Sequence, residues 1–250
     1  MLAEDISDVL RMLDDIIEDT RSRRDPLGYF AALYRQVTLK VRDGIREGFF
    51  DNGARMAQFD AAFANRYFAA YQVFQAGGKP SKSWQVAFKS TQAGQIILQD
   101  LLVGINAHIN LDLGVVTAES FPNSLNSFHR DFDKINQILA ALVSGVEAVV
   151  GRFSPLIDLL DRVGGRDQDA VLNFSLDAAR DDAWRNAVIL SLQPPSIRPY
   201  TIQALDGKTA FLGKLISQPG GLAARVIGLI RDMESRNVPA IIDALNSIAA

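Results

Sequence analysis

Apolar residues recur at intervals of three and four along nearly the whole chain, the spacing that places side chains on one face of an α-helix. The clearest stripe lies in the first segment and comprises Leu2, Ile6, Val9, Leu10, Leu13, Ile16 and Ile17. Alternation with period two, which would indicate β-strands, is hard to find. The pattern therefore predicts an all-α protein of about eight helices.

Prolines, glycines and capping residues set the predicted ends of these helices. The first helix is expected to stop before Asp25, because a residue that precedes proline is pushed out of the helical region. Ser81 or Ser83 is expected to cap a long fourth helix that begins near Trp84 and extends to Val116. The other helices are predicted over residues 29–45, 56–71, 125–150, 155–160, 169–192, 200–216 and 222–248.

These helices are expected to pack as one orthogonal or up-down helical bundle, a single domain over residues 1–250. That length lies near the upper limit for one hydrophobic core. The loop at 193–199, which contains Pro194 and Pro195, is a predicted boundary between two sub-bundles. Hydrophobic residues make up 48 % of the chain and charged residues 22 %, as in ordinary globular proteins, so a sizeable core is available.

Composition and charge narrow the classes of function. The net charge is −3, with lysine and arginine scattered along the chain, so the basic surface that nucleic-acid binding needs is missing. The acidic N-terminus is unlike a secretory signal, and the apolar stretches 96–116 and 138–150 are interrupted by polar residues or too short to span a bilayer. We expect a cytoplasmic protein without a membrane span. Cysteine is absent, which leaves histidine, carboxylates and hydroxyls for metal or covalent chemistry.

Four polar residues interrupt the apolar end of the fourth predicted helix: Asn106, His108, Asn110 and Asp112. His108 and Asp112 are four residues apart and therefore project from one face of a helix, in line with Ile105. A helix that is apolar all round belongs at the centre of a bundle, so this pair is expected to point into the core. An unpartnered polar group there would cost about 1–3 kcal/mol, so a polar network or a metal is expected to satisfy the pair.

A second histidine–aspartate pair with the same spacing lies on the fifth predicted helix, at His129 and Asp133. Asp131, however, falls in line with the apolar stripe of that helix and is therefore the preferred core-facing residue. Asn136 is a candidate supporting amide, and His129 and Asp133 are lower-ranked alternatives.

The third predicted helix places Asp60, Phe63 and Tyr67 on one line, at spacings of three and four. A carboxylate among aromatic residues is a candidate metal ligand. Arg66, with Asn65 beside it, can instead form a bidentate ion pair with Asp60, which would make the group a structural clasp. Four side chains are predicted to contact a bound cofactor or ligand: Arg66, Tyr67, Asn106 and Asn136.

The first functional hypothesis is a metal-dependent enzyme, hydrolytic or oxidative. Nitrogen and carboxylate ligands on adjacent helical turns suit a divalent cation such as zinc, iron or manganese, which would lower the pKa of a bound water. The predicted ligands are His108, Asp112, Asp131 and Asp60.

The second hypothesis is a helical binding module for a small apolar, lipid-like or polyketide-like molecule, with the polar cluster holding its head group. It predicts a void beside His108. A purely structural polar network is a third interpretation, and association with a partner or a second copy through the first helix is a fourth.

Farther along, the charged residues around Trp184 are interpreted as a solvated helix face: Arg180, Asp181, Asp182 and Arg185.

Several segments resemble a bacterial family of unknown function, domain family 5995. The most distinctive is residues 104–113 (GINAHINLDL), and others are residues 63–67 (FANRY) and 131–136 (DFDKIN). The resemblance covers most of the chain and implies no activity that can be transferred. Residues 104–112 also look like the His-x-x-x-Asp helix of all-α zinc-dependent phospholipases and nucleases, whose downstream Pro-x-His and further histidines this chain lacks.

Overall fold

A computed structural model of the chain describes residues 2–122, 124–160 and 174–248. These residues form ten helices and no strand, so the predicted all-α class is confirmed. The count treats Ile97–Ser120 as one continuous helix, although it consists of α5, a π-helix and α6. In chain order the helices are α1 (Ile6–Arg23), α2 (Gly28–Arg46), α3 (Gly53–Gln75), α4 (Lys82–Thr91), α5 (Ile97–Ala107), a π-helix (His108–Leu113), α6 (Gly114–Ser120), α7 (Leu125–Phe153), α8 (Leu176–Leu192), α9 (Arg198–Ser217), α10 (Gly221–Met233) and α11 (Val238–Leu245).

Side-chain caps explain several helix starts. The Asp5 carboxylate accepts hydrogen bonds from two backbone N–H groups in the first turn of α1. Asn52 caps α3 in the same way, and Ser81 caps α4, one of the two residues that the sequence predicted for that position. Each cap satisfies a donor that a helix N-terminus leaves without an intrahelical partner.

The prediction of one long fourth helix from Trp84 is wrong, because the helical conformation is interrupted between α4 and α5. Gly94 adopts a left-handed conformation with φ of 76°, and Ile96 is extended. The new start is stabilised from a distant part of the chain, since the Glu234 carboxylate accepts a hydrogen bond from the Ile97 backbone N–H at 3.0 Å. A cap supplied by a residue that follows a distant helix leaves no local signal in the sequence.

Two more predicted helices differ from the structure. The segment 222–248 is two helices, α10 and α11, because the backbone leaves the helical region at Glu234 and Pro239 occupies the first turn of α11. Residues 155–158 form turns and not the start of a short helix. The predicted start at 169 lies outside the described residues, and α8 begins at Leu176.

The stretch Ile97–Ser120 is the central helix of the fold and packs against α2, α3, α4, α8 and α9. It is one of two helices within the described ranges that are long and apolar enough to cross a membrane, with a mean hydropathy of 1.4 and 83 % of its most apolar window buried. The other is α7, with a mean hydropathy of 1.3 and 17 % of that window buried. Burial inside the protein accounts for the apolar character of the central helix.

Gly104 lets the central helix approach α2 closely. A Cβ atom at this position would lie 2.7 Å from two ring carbons of Phe30, a side chain that is itself packed in the core. We expect Gly104→Ala to lower the free energy of unfolding by about 1–3 kcal/mol, the usual cost of overpacking.

Urea unfolding of Gly104→Ala checks this expectation, with Gly228→Ala as the matched control. Gly228 lies inside α10 and a Cβ atom there would meet nothing within 4 Å. The control is expected to gain about 0.5–1 kcal/mol, because alanine favours the helix more than glycine does. Equal changes in the two variants would show that the contact with Phe30 is not tight.

Candidate functional site

The centre of the candidate site is the π-helix His108–Leu113 within the central helix. A π-helix has a wider turn than an α-helix, is rare, and often occurs at functional sites. The sequence pattern predicted a regular α-helix here. Both His108 and Asp112 are 2 % exposed, and the His108 Nδ1 atom lies 3.4 Å from Asp112 Oδ2.

Asp112 is held by donors from two other helices, α3 and α4. The indole N–H of Trp84 donates to its Oδ2 at 2.8 Å, and the Nε–H of Arg66 donates to its Oδ1 at 2.9 Å. The predicted clasp between Arg66 and Asp60 is therefore wrong, because the guanidinium reaches the central helix instead. Asn65 is also engaged elsewhere, with its amide bonded to the backbone of Ala3.

The surroundings set the protonation of this pair. Burial acts to raise the pKa of Asp112, but the hydrogen bond from His108 and the charge of Arg66 outweigh it and hold that pKa below its usual range. Burial lowers the pKa of His108, against the opposing effect of Asp112. The ionised carboxylate can only accept, so the neutral imidazole carries its proton on Nδ1 and keeps a lone pair on Nε2.

An apolar cavity of about 210 Å³ borders His108. The Nε2 atom of His108 and the hydroxyl of Tyr34 are both buried, and neither has a hydrogen-bond partner among the described residues. The Phe63 ring stacks on the imidazole with 3.7 Å between centroids, and the Tyr34 ring lies at 4.8 Å. Apolar side chains supply most of the wall: Phe30, Leu33, Val37, Phe63, Ile105, Ile109, Ile135, Leu139, Leu142, Val143, Val146 and Leu176.

Arg180 borders the same cavity, which corrects its interpretation as part of a solvated helix face. Its side chain is buried, with the guanidinium carbon 4.4 Å from the Phe132 ring centroid. The Nη2 group donates to the Phe132 carbonyl at 2.6 Å, and the Nε–H donates to the Asn136 side-chain oxygen. Asn136 therefore orients Arg180, and burial lowers the pKa of Arg180 to about 10.

Asp131 is fully buried, and its carboxylate ties α7 to the turn before α3. It accepts hydrogen bonds from the backbone N–H groups of Asp51 and Asn52 at 2.6 and 3.3 Å, and from Arg55 at 2.8 Å. These donors occupy both carboxylate oxygens.

The other histidine–aspartate pair lies at the surface. His129 and Asp133 are each about half exposed, with 3.8 Å between Nε2 and Oδ2, and the imidazole stacks on Trp184.

Asp60 is buried on α3, and its Oδ2 atom has no hydrogen-bond partner within the part of the chain that the structure describes. Burial raises its pKa to about 7. Tyr67, on the same line of α3, packs between Phe30 and Trp84 with ring centroids 5.1 and 5.2 Å away.

Asn106 serves the packing of the central helix against α9. Its amide N–H donates to the Thr209 carbonyl at 2.9 Å, and its oxygen accepts from Asn110 at 3.0 Å.

The structure thus brings only two of the four predicted metal ligands together. His108 and Asp112 contact each other, Asp131 forms an ion pair with Arg55, and Asp60 is bonded to none of these side chains. Across residues 2–122, 124–160 and 174–248, no group of three or more His, Cys, Asp or Glu side chains is arranged to hold a metal ion.

Sequence reasoning missed Tyr34, Arg180 and Asp100 as buried polar groups. Tyr34 looks like any aromatic residue of an amphipathic stripe, and its hydroxyl is distinguished only by the lack of a partner. Arg180 stands among charged neighbours that conceal its burial. Asp100 interrupts an apolar run, which is a usable signal, and burial raises its pKa well above the usual range.

Comparison with known proteins gives a family and no activity. No curated protein and no solved structure matches the chain. The model of a family of unknown function, DUF5995, matches residues 6–219, which include the central helix, the cavity walls on α2 and α7, and Arg180. This match covers most of the sequence, and the chain therefore belongs to the DUF5995 family.

Proposed function

We propose that this protein binds a small, mainly apolar molecule in the cavity beside His108. The observation that carries the proposal is a buried imidazole with an unpartnered Nε2 among the residues that line a mainly apolar cavity. A buried polar atom without a partner costs about 1–3 kcal/mol, so a ligand that supplies the missing hydrogen bond recovers this cost on binding.

The cavity limits the size of the ligand. An engineered apolar cavity of about 150 Å³ in another protein binds benzene, so 210 Å³ suits a molecule with one ring or a short alkyl chain. Binding sites of this kind have apolar walls and a few polar groups that orient the ligand.

The polar atoms limit its chemistry. The lone pair on His108 Nε2 can accept a hydrogen bond from a ligand that carries a donor such as a hydroxyl group. The Tyr34 hydroxyl is a second unpartnered group of the lining and can donate to a ligand, because burial and the nearby charges of Asp60 and Asp112 raise the pKa of Tyr34 and keep it protonated.

A metal-dependent activity has less support than binding. The described residues bring together only His108 and Asp112, and both oxygens of Asp112 already accept hydrogen bonds from Arg66 and Trp84.

Titration with 1-alkanols of six to ten carbons tests the proposal. We expect saturable binding by calorimetry with an optimum chain length, because a chain longer than the apolar wall would extend past it into solvent. We also expect an increase in the free energy of unfolding of about 2.7 kcal/mol at a ligand concentration of 100 times Kd.

Leu139→Trp is the variant that fills the cavity, and Ala140→Trp is its matched control. Leu139 lines the cavity on α7, whereas its neighbour Ala140 is exposed. Leu139→Trp is expected to lose alkanol binding while Ala140→Trp keeps it. Binding that is absent from the folded wild-type protein, or equal in the two variants, would refute the proposal.

A further inference from the structure

Arg180 is a buried cation without an ionised partner. It is 2 % exposed, and no carboxylate oxygen of the described residues lies within 4.0 Å of its guanidinium. Its two bonded nitrogens, Nε and Nη2, meet neutral acceptors, the Asn136 amide and the Phe132 carbonyl. Buried charges in proteins are normally paired, so this arrangement calls for an anion.

The location of Arg180 indicates where that anion binds. The side chain lines the apolar cavity that also borders His108 and Tyr34. Asp133, Asp177 and Asp181 are near enough for their charges to favour the protonated guanidinium, but they form no ion pair with it. Its Nη1 group makes no hydrogen bond among the described residues and is available to a ligand.

We propose that the ligand of this cavity is a monocarboxylate, whose acid group binds Arg180 and whose apolar body lies along the apolar side chains of the wall. The inference rests on the proposed function and names the class of molecule that it takes. A planar carboxylate matches the planar guanidinium and forms short, charge-assisted hydrogen bonds with it.

The charge balance of the wall favours an acid with a single negative charge. Arg180 is the one cationic side chain that lines the cavity within the described part of the chain, and the exposed Glu147 lines it too. A dianion such as a phosphate monoester would bring a second negative charge towards Glu147 without a second cation to meet it.

A comparison of octanoate, methyl octanoate and 1-octanol by calorimetry at pH 7.5 tests this inference. In the wild-type protein we expect octanoate to bind at least about tenfold more tightly than either neutral molecule, the factor that corresponds to 1.4 kcal/mol. In Arg180→Gln we expect octanoate to lose this advantage while 1-octanol keeps its Kd.

Arg185→Gln is the matched control on the same helix. Arg185 is exposed, with 69 % of its side chain accessible, and pairs with Asp182 three residues away. This variant is expected to keep the wild-type preference for octanoate.

Two results would overturn the inference. The first is equal binding of octanoate and 1-octanol by the wild-type protein, which would leave the proposed function intact. The second is an undiminished preference for octanoate in Arg180→Gln. Should Arg180→Gln fail to fold, the wild-type comparison of octanoate with its methyl ester decides alone, since the ester differs in charge at the same chain length.

Discussion

Replacing Asp112 with alanine is expected to lower the free energy of unfolding by about 2–6 kcal/mol, because two buried N–H donors lose their acceptor at about 1–3 kcal/mol each. The carboxylate is the shared acceptor for Trp84, Arg66 and His108. Its loss leaves two buried N–H groups without a partner and removes the negative charge that faces the Arg66 guanidinium. No other side chain of the described residues accepts a hydrogen bond from the Trp84 indole.

Urea unfolding at pH 7 measures this change, with Glu119→Ala as the matched control. Glu119 is the other carboxylate near Arg66, but it lies 3.7 Å from the guanidinium and its side chain is 57 % exposed. Exposed ion pairs contribute only about 0.2–1 kcal/mol, so the control is expected to change little. A loss below 1 kcal/mol in Asp112→Ala would mean that the three donors find water or other acceptors.

The second large effect is expected from Asp60→Asn, and it depends on pH. Burial raises the pKa of Asp60 to about 7 in the folded protein, whereas an aspartate in an unfolded chain titrates near 3.9. The folded state therefore binds this proton more tightly than the unfolded state does.

The sign of the effect follows from proton linkage. Below about pH 4 both states are protonated and Asp60 causes no loss of stability. Between about pH 4 and pH 7 the unfolded chain releases the proton while the folded chain retains it, so stability falls as pH rises. Above pH 7 the loss is complete and amounts to about 4 kcal/mol, from roughly three pKa units at 1.36 kcal/mol each.

Asparagine has nearly the same shape as aspartate and does not titrate. Asp60→Asn is therefore expected to match the wild-type free energy of unfolding near pH 4 and to exceed it by up to about 4 kcal/mol at pH 8. Urea unfolding at the two pH values measures the difference. Asp133→Asn, at an exposed site on α7, is expected to change stability by less than about 0.5 kcal/mol at either pH.

A different outcome would be informative about Asp60. A constant difference between Asp60→Asn and the wild-type protein from pH 4 to pH 8 would contradict the raised pKa. It would mean that the unpartnered Oδ2 atom has access to water or to a donor in solution.

The helical class and most helix boundaries could be predicted from the sequence because their causes are local. Apolar spacing, capping residues such as Ser81, and prolines act within a few residues of where they stand. The errors occur where a distant group intervenes. Glu234 caps α5 across more than a hundred residues of chain, and no pattern around Ile97 reports it.

The candidate site likewise has features that the sequence predicts and features that it does not. The burial of His108, Asp112 and Asp131 follows from their positions on apolar helix faces, and the structure shows all three buried. Their partners do not follow, since Arg66 binds Asp112 and not Asp60 on its own helix, and Asp131 binds Arg55 and the Asp51 backbone. Partner choice depends on where helices cross, and helix crossings are a property of the packed core.

The sequence by itself places His108 and Asp112 one turn apart on an apolar helix, because helical spacing is a local property of the chain. The π-helix, the empty space beside the imidazole and the buried Arg180 at the wall of that space arise only when α2, α3, α7 and α8 assemble around the central helix. A cavity is a volume that several helices fail to fill, so no single segment encodes it. The proposed ligand site exists for the same reason.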